Sequence, residues 1–318
     1  MTGLSKRALH PIFNPMTKPT LQEALLKRPL VCDGAMGTQL MLAGLESGAC
    51  GELWNLTHPD RVLAIQKRYV EAGTDCLLTN TFGANRVVLT RHGVAKDVRA
   101  INQAAVKIAR EAFGDRAGYV LGDIGPLGAI LEPYGELPQS EGQIALEEQA
   151  RALVDAGVDA IIIETQTSLD ELGLSIAAAK TAGARCVIGS LAYDLSNDRT
   201  FYVTMMGVSP QQAAGFLQQN GADIAALNCG TGMDMPGAAK VARLYRETCP
   251  LPIMVQPNAG LPVLENGRAV YKQLPAEMAS GVAEVLDAGA NIIGSCCGST
   301  PEHTRAIRQA ISNPKAAA

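Results

Sequence analysis

Five copies of one short pattern constrain the fold of this 318-residue chain most strongly. Each copy ends a helical stretch with a glycine and follows it with a short apolar run, as a helix C-terminus followed by a buried parallel strand would. The five glycines are Gly73, Gly157, Gly183, Gly221 and Gly289. Three further apolar runs, at residues 29–37, 119–126 and 252–260, lack this glycine and bring the predicted strands to eight.

The segments between these strands have helical spacing, and several of them begin with Ser, Thr or Asp beside Pro, which is typical of a helix start. Eight strands that alternate regularly with helices favour a closed (β/α)₈ TIM barrel of roughly 250 residues over a two-domain doubly wound sheet. We therefore predict a short N-terminal extension (residues 1–28), one barrel (residues 29–312) and a loose tail (residues 313–318). The longest non-helical stretches, residues 128–139 and 261–275, follow strands and are expected at the barrel mouth.

Composition excludes several classes of function. The formal net charge is -4 with no basic cluster, and aromatic residues make up 4% of the chain, so neither a phosphate-binding surface nor a base-stacking platform is expected. The N-terminus lacks the apolar segment of a signal peptide, and no run approaches the roughly 20 apolar residues that span a bilayer. We expect a cytoplasmic protein with reduced thiols that binds neither nucleic acid nor membrane.

The repeat also predicts which side chains meet. Seven residues after the glycines stand Asn80, Glu164, Ser190, Asn228 and Cys296, and eight residues after them stand Thr81, Thr165, Leu191, Cys229 and Cys297. Because each count climbs one strand to its C-terminal end, these residues should ring the same mouth of the barrel. Cys229 is thereby predicted to lie beside Cys296 and Cys297.

Three converging cysteines suit Zn²⁺, and three protein ligands with an open fourth position are typical of a catalytic zinc site. A zinc ion held by three thiolates is a poor Lewis acid for hydrolysis, but it can keep an incoming thiol as a reactive thiolate at neutral pH. The alternatives are ordinary packing of small apolar side chains and a redox pair. The other five cysteines are scattered, and we expect them to pack: Cys32, Cys50, Cys76, Cys186 and Cys249.

Eight motifs in a fixed order resemble those of the homocysteine S-methyltransferase family, and the match runs from about residue 29 to 312. The motifs are DGAMGTQL (33–40), LWNLTHPDRV (53–62), TNTFGAN (79–85), GDIGPLG (122–128), ETQTSLDE (164–171), LNCG (227–230), PNAGLP (257–262) and GSCCGSTPEH (294–303). The pairing of the Asn-Cys motif with the later Cys-Cys motif is the most specific part, because glycine-rich loops are common in barrels.

The resemblance implies a zinc-dependent barrel that methylates homocysteine to methionine. Cys229, Cys296 and Cys297 match the zinc ligands of the family and would act in catalysis through the metal. The sulfur of the substrate would be the fourth ligand.

The resemblance also implies that Asp33 and Glu164 hold the substrate ammonium, and the backbone amides of Gly34, Ala35 and Met36 suit its carboxylate. Physical reasoning supports this division, because an α-amino acid needs one anionic contact and one donor-rich contact. Glu164 also follows an apolar run, where an unpaired carboxylate would be costly. The alternatives are a structural ion pair for Glu164 and a plain Asp-Gly turn for Asp33.

Other polar residues near the mouth have weaker assignments. Asn80 and Asn228 either orient the mouth, as part of the substrate site, or merely satisfy backbone groups. Trp54 is expected to pack. Three histidines are expected at solvated helix starts or loops: His58, His92 and His303.

The methyl donor is less visible in the sequence than the acceptor. Residues 256–275, together with GDIGPLG, most resemble the homocysteine modules of cobalamin-dependent methionine synthases. We expect no folate- or cobalamin-binding domain beside the barrel, and therefore methylcobalamin on a separate corrinoid protein. One alternative is a stand-alone enzyme that uses S-methylmethionine, S-adenosylmethionine or betaine. Another is a barrel that handles zinc or thiols without methyl transfer.

Overall fold

The computed structural model describes residues 18–265 and 268–313, and within them eight parallel strands form a barrel. The strands are β1 (Leu30–Val31), β2 (Cys76–Leu78), β3 (Tyr119–Ile124), β4 (Ala160–Gln166), β5 (Val187–Leu191), β6 (Ile224–Asn228), β7 (Ile253–Gln256) and β8 (Ala290–Ile293). They pair in chain order, β8 pairs with β1, and a bridge between Cys32 and Cys76 joins β1 to β2. The predicted TIM barrel is confirmed.

Helices surround the strands on the outside of the barrel. They are α1 (Leu21–Leu25), α2 (Met36–Leu42), α3 (Trp54–Thr57), α4 (Pro59–Ala72), α5 (Arg86–Arg91), α6 (Val98–Phe113), α7 (Gln139–Asp155), α8 (Leu169–Ala182), α9 (Pro210–Gln219), α10 (Met235–Thr248), α11 (Pro275–Ser280), α12 (Val282–Asp287) and α13 (Pro301–Ser312). A short 3₁₀ helix, Ala95–Asp97, precedes α6. None of these described helices is long and apolar enough to cross a membrane.

The repeat glycines end helices as their pattern predicts. All five adopt positive φ, between 71° and 98°. Glycine reaches this left-handed conformation without the steric cost of a Cβ, so the chain can leave the helix and turn directly into the next strand. The glycine pattern therefore sets the register in which each helix feeds its strand.

The core has two layers, because successive strand residues face opposite sides of the sheet. One layer fills the barrel interior with side chains such as Leu121, Ile162 and Ile188, all of them fully buried. The other layer lies between the strands and the helices. Polar residues that follow the interior positions toward the C-terminal ends of the strands therefore point into the mouth.

The N-terminal ends of the strands are covered by α1. Leu21 and Leu25 are buried and belong to the same cluster as the barrel interior, and Thr20 caps the helix through a reciprocal capping box with Glu23. Lys18 pairs with Asp159 at 3.0 Å. The last part of the predicted N-terminal extension is thus packed against the barrel, whereas residues 1–17 and most of the predicted tail lie outside the described residues.

Two antiparallel hairpins extend the loops at the mouth. One follows β5 and pairs Asp194–Leu195 with Tyr202–Val203, and the other follows β7 and pairs Pro262–Glu265 with Arg268–Tyr271. The stretch 261–275 is non-helical as predicted, but most of it is a hairpin.

Candidate metal and substrate site

The turn after β6 holds Cys229 in a left-handed backbone conformation, with φ of 54°. The next residue, Gly230, has φ of 93°, and a Cβ added there would lie 1.9 Å from the carbonyl oxygen of Tyr193. The Cys229 N–H donates to the Gln256 carbonyl at 3.3 Å. Because close packing and the glycine over-determine this turn, Cys229 keeps a conformation that non-glycine residues seldom adopt.

The turn after β8 carries Cys296 and Cys297 and is tied to the loop after β7. The Cys296 N–H donates to the Pro257 carbonyl at 2.7 Å, and the Cys297 carbonyl accepts from the Ala259 N–H at 3.0 Å. The Ser299 hydroxyl donates to the Cys296 carbonyl at 2.8 Å. The two adjacent side chains are therefore held by backbone bonds that do not involve their sulfurs.

The three sulfurs converge as the register predicts. The Sγ atoms of Cys229 and Cys297 are 3.7 Å apart, those of Cys296 and Cys297 are 3.9 Å apart, and all three lie within 4.8 Å of one another. Tetrahedral zinc with Zn–S bonds near 2.3 Å requires sulfur separations of about 3.8 Å. The three side chains thus fit one zinc ion, and because each residue is only partly buried, a further ligand can approach.

The thiols influence each other even without a metal. Hydrogen bonds from Cys229 and Cys296 lower the pKa of Cys297, whereas hydrogen bonds with Cys229 and Cys297, together with burial, raise the pKa of Cys296. A lowered pKa favours the thiolate form that a metal binds.

Asn228 links the neighbouring strand ends to this cluster. Its Oδ1 accepts from the Ser190 hydroxyl at 2.7 Å and from the Thr165 N–H at 3.1 Å. Its Nδ2 donates to the Thr165 hydroxyl at 2.7 Å and lies 3.9 Å from the sulfur of Cys296. The side chain is fully buried, so it fixes the ends of β4, β5 and β6 relative to one another beside the sulfurs.

Asp33 follows β1 and is almost completely buried. Its Oδ2 accepts from the Leu78 N–H at 2.9 Å, and its Oδ1 accepts from the Cys32 thiol at 3.4 Å. Burial raises the pKa of Asp33 to about 8, although the hydrogen bond from Leu78 opposes the shift. The carboxyl group therefore does more than close an Asp-Gly turn, because it joins β1 to β2 inside the barrel.

Glu164 points into the barrel from β4. Its Oε1 accepts from Nε2 of Gln256 on β7 at 3.2 Å, and Oε1 of Gln256 itself has no partner among the described residues. Burial, with a smaller contribution from the charge of Cys229, raises the pKa of Glu164 to about 7. Glu164 thus belongs to the same space as the sulfur cluster.

No described Lys or Arg is buried, whereas three carboxyl groups are: Asp33, Asp123 and Glu164. None of the three takes part in an ion pair within residues 18–265 and 268–313. The structural ion pair considered for Glu164 is therefore absent from the described residues. Because an uncompensated buried charge is costly, burial raises the pKa of all three groups and favours their uncharged form.

Asp123 was not among the residues predicted for the site. Its signal in the sequence is its position two residues after the apolar Leu121 on β3, which places both side chains on the interior face.

The turn before α2 packs tightly on the turn after β8. A Cβ on Gly34 would lie 2.5 Å from Ser299 Oγ and 2.9 Å from Ser295 Oγ. The Ala35 N–H donates to Ser299 Oγ at 3.0 Å, so its amide is already occupied. The amides of Gly34 and Met36 have no hydrogen-bond partner among the described residues.

The hydrogen bonds of the Asn80 side chain do not involve the three cysteines. Its Nδ2 donates to the Gly51 carbonyl at 2.8 Å and to Asn55 Oδ1 at 3.2 Å, so it holds the loop between α2 and α3 and the first turn of α3. Trp54 packs as predicted. The prediction for His303 is wrong, because this side chain is buried and contacts the Gln273 carbonyl at 2.9 Å.

The sequence prediction also missed Tyr271, which ends the hairpin after β7. Its ring covers Gly298, where an added Cβ would lie 2.0 Å from the ring. The nearby Tyr271 hydroxyl also contributes to the lowered pKa of Cys297. Residues far from any cysteine motif therefore contact the cluster.

Comparison with known sequences identifies the protein family to which this chain is similar. The model of the homocysteine S-methyltransferase family matches residues 30–311. The methionine synthase of Mycobacterium tuberculosis is 34% identical over 309 residues, which cover 93% of this chain and 26% of that protein. The methionine synthase of Mycobacterium leprae is 33% identical over 306 residues, covering 92% and 25% respectively. The chain thus spans about a quarter of the length of these relatives.

Comparison with solved structures supports the fold. The metallated form of the homocysteine methyltransferase MmuM from Escherichia coli superposes with a TM-score of 0.74 at 21% identity, covering 91% of this chain and 99% of that one. At this identity the likeness establishes a shared barrel.

Proposed function

The chain belongs to the homocysteine S-methyltransferase family, and from this premise we propose that it methylates homocysteine with the help of a zinc ion held by Cys229, Cys296 and Cys297. The observation that carries the proposal is the meeting of two features in one barrel mouth. Three sulfurs stand at the spacing of a tetrahedral zinc site, and the buried Glu164, which forms no ion pair within the described residues, lies close enough for its charge to act on the cysteines. A substrate with both a thiol and an ammonium group matches this pair.

Zinc bound to three thiolates would hold the substrate sulfur as a thiolate at neutral pH. The metallated state of the solved MmuM structure supports a metal in this fold. The bonds from Pro257 and Ala259 to the backbone of the Cys-Cys turn keep the sulfurs in position before the metal arrives, which lowers the reorganisation that binding requires.

The amino-acid end of homocysteine would lie on the carboxyl groups. Glu164 and Asp33 supply negative charge for the ammonium group, and the turn at Gly34 and Met36 supplies N–H donors for the carboxylate. The charge of a bound ammonium would also offset the cost of ionising the buried carboxyl groups. A non-catalytic barrel that only stores zinc has no need of such groups.

For the donor, the favoured candidate is methylcobalamin presented by a corrinoid-binding protein. It is supported by the resemblance of residues 256–275 and the GDIGPLG motif to the homocysteine modules of cobalamin-dependent methionine synthases. Two methionine synthases are also about a third identical to this chain across nearly its whole length. The donor carbon must reach the sulfur through the mouth, in line with the bond that breaks. The loops around the mouth expose apolar side chains that a donor or its carrier protein could contact, among them Phe82, Ile130 and Met205.

The test is methionine formation by zinc-loaded protein and homocysteine, measured by mass spectrometry with each donor in a separate reaction. Methylcobalamin, S-methylmethionine, S-adenosylmethionine and betaine are compared, and metal-free protein is the control. Methionine from methylcobalamin alone supports the proposed donor. Methionine from a sulfonium compound or betaine keeps the methyltransferase assignment and replaces the donor. No methionine with any donor, from protein that contains zinc and binds homocysteine, contradicts both small-molecule and free-corrinoid donation.

A further inference from the structure

Asp123 is a third buried carboxyl group of the barrel. It lies within the GDIGPLG motif (122–128), but no role has been assigned to it so far, and the contacts of the sulfur cluster do not explain it. It lies on β3 (Tyr119–Ile124), two residues beyond Leu121, which belongs to the interior cluster. Since alternate strand residues share a face, the Asp123 side chain points into the barrel. It is 4% exposed.

No partner among residues 18–265 and 268–313 explains the burial of the Asp123 carboxyl group. Its buried Oδ1 accepts no hydrogen bond from any described residue. The hydrogen bonds at this position use the backbone instead, since the Asp123 N–H donates to Thr79 Oγ1 at 3.0 Å and its carbonyl accepts from Thr81 Oγ1 at 2.7 Å. A native protein rarely leaves a buried carboxyl oxygen without a partner, so the oxygen points to a ligand.

The other two carboxyl groups are better satisfied by the protein. Both oxygens of Asp33 accept hydrogen bonds, from Leu78 and Cys32, and one oxygen of Glu164 accepts from Gln256. Of the three, Asp123 therefore has the most capacity left for a ligand.

The three carboxyl groups share one space. Burial raises the pKa of Asp123 well above its usual range, and the charges of Glu164 and then Asp33 raise it further. Because these interactions require proximity in a medium of low dielectric constant, a single cation in the mouth can lie close to all three.

We propose that Asp123 contacts the ammonium group of the substrate and makes the site selective for thiols that carry an α-amino group. The inference rests on the proposed function and deepens it, because it assigns a specificity-determining residue to the same site. An ammonium group has three N–H donors, which matches three surrounding carboxyl groups. A thiol without this group leaves the carboxyl groups unpaired and gains nothing from Asp123.

The experiment compares two thiols that differ only in the amino group, homocysteine and 4-sulfanylbutanoate. Their binding to zinc-loaded protein is measured by isothermal titration calorimetry for wild type, Asp123→Asn and the surface control Asp155→Asn. The expected result for Asp123→Asn is a loss of about tenfold or more in homocysteine affinity, the size typical of a hydrogen bond to a charged group. Its affinity for 4-sulfanylbutanoate should stay within about twofold of wild type, since a structural defect would weaken both thiols alike.

Zinc content and thermal melting are measured for every variant, and Asp123→Ser replaces Asp123→Asn if the latter does not fold. Equal losses for the two thiols, or no loss for either, overturn the inference while the proposed function stands on the wild-type result. If wild type itself fails to prefer homocysteine, the ammonium site fails as a whole, and the inference falls with it.

Discussion

At the scale of single residues, the backbone groups and the side chains of the two adjacent cysteines make different contacts. Their N–H and carbonyl groups bind the loop after β7, whereas their sulfurs meet Cys229. We therefore expect Cys297→Ser to lose zinc and methyl transfer together while the fold survives. Loss of a residue that only hydrogen-bonds to a metal ligand typically lowers metal affinity about 10–100-fold. Loss of the ligand Cys297 itself should lower the affinity for zinc by more than that.

Zinc content by elemental analysis and secondary structure by circular dichroism measure this prediction. Cys249→Ala is the matched control, because Cys249 is a buried cysteine at the end of α10, outside the cluster. A Cys297→Ser protein that is fully active without zinc would refute the role of the cluster.

Glu164 should act on the substrate and not on the metal. In Glu164→Gln the side chain keeps its size and loses its charge, so the ammonium group loses a charge-assisted contact worth about 1.5–3 kcal/mol. We expect homocysteine to bind about 10–100-fold more weakly, with zinc content unchanged. Titration calorimetry on the zinc-loaded variant measures the affinity.

Glu148→Gln is the control for Glu164→Gln, since Glu148 forms an ion pair with Arg86 on the outside of the barrel. Unchanged homocysteine affinity in Glu164→Gln would rule out Glu164 as an ammonium contact.

The sequence identified residues whose position follows from the repeat. Cys229, Cys296, Cys297 and Glu164 stand seven or eight residues after a glycine, so the barrel brings them together. The prediction of site residues did not include Asp123, because β3 has no such glycine. It did not include Tyr271, because this residue reaches the cluster through a hairpin whose position no local pattern encodes. Only the three-dimensional fold shows that these two residues lie near the site.

At the scale of helices and strands, the repeat glycines test whether backbone conformation alone explains the pattern. Gly183 has φ of +89° and no heavy atom within 4 Å of an added Cβ, so Gly183→Ala meets no steric clash and pays only for the left-handed backbone. We expect a loss of about 1–2 kcal/mol in the free energy of unfolding, measured by urea denaturation.

Gly215 provides the opposite case. It lies inside α9 (Pro210–Gln219), and an added Cβ also meets nothing within 4 Å. Since alanine is favoured over glycine in a helix interior, Gly215→Ala should raise the free energy of unfolding by about 0.5–1 kcal/mol. Effects of the same sign in both variants would argue against the conformational explanation of the repeat.

Helices and strands were predictable where a period or a cap marks them, and the hairpins were not. The segment after β7 carries Pro, Asn and Gly among its apolar residues, a composition typical of loops, so its strand pairing between Pro262 and Tyr271 has a weak local signal. Tyr271, at the end of that pairing, packs on the turn after β8, a contact between segments distant in the sequence that no local pattern encodes.

At the scale of the whole molecule, the barrel needs a cover at the N-terminal ends of its strands. The helix α1 supplies it, and Leu21 is 2% exposed while Leu26, just beyond the helix, is 88% exposed. We expect Leu21→Ala to cost about 2–5 kcal/mol of unfolding free energy, as other buried leucines do. Leu26→Ala should stay within about 0.5 kcal/mol of wild type.

Denaturation by urea, followed by circular dichroism, compares the two leucine variants. A Leu21→Ala protein as stable as Leu26→Ala would show that the barrel does not depend on α1.

The three cysteines of the sulfur cluster follow strands that are synthesised at different times. Cys229 follows β6, whereas Cys296 and Cys297 follow β8, the strand that also pairs with β1. A nascent chain that has completed only six strands therefore carries one of the three thiols and has no partner for the free edge of β1. Uptake of the proposed zinc ion must therefore wait for β8, the strand that closes the ring, and a metal-loaded cluster would mark a barrel whose eight strands are all in place.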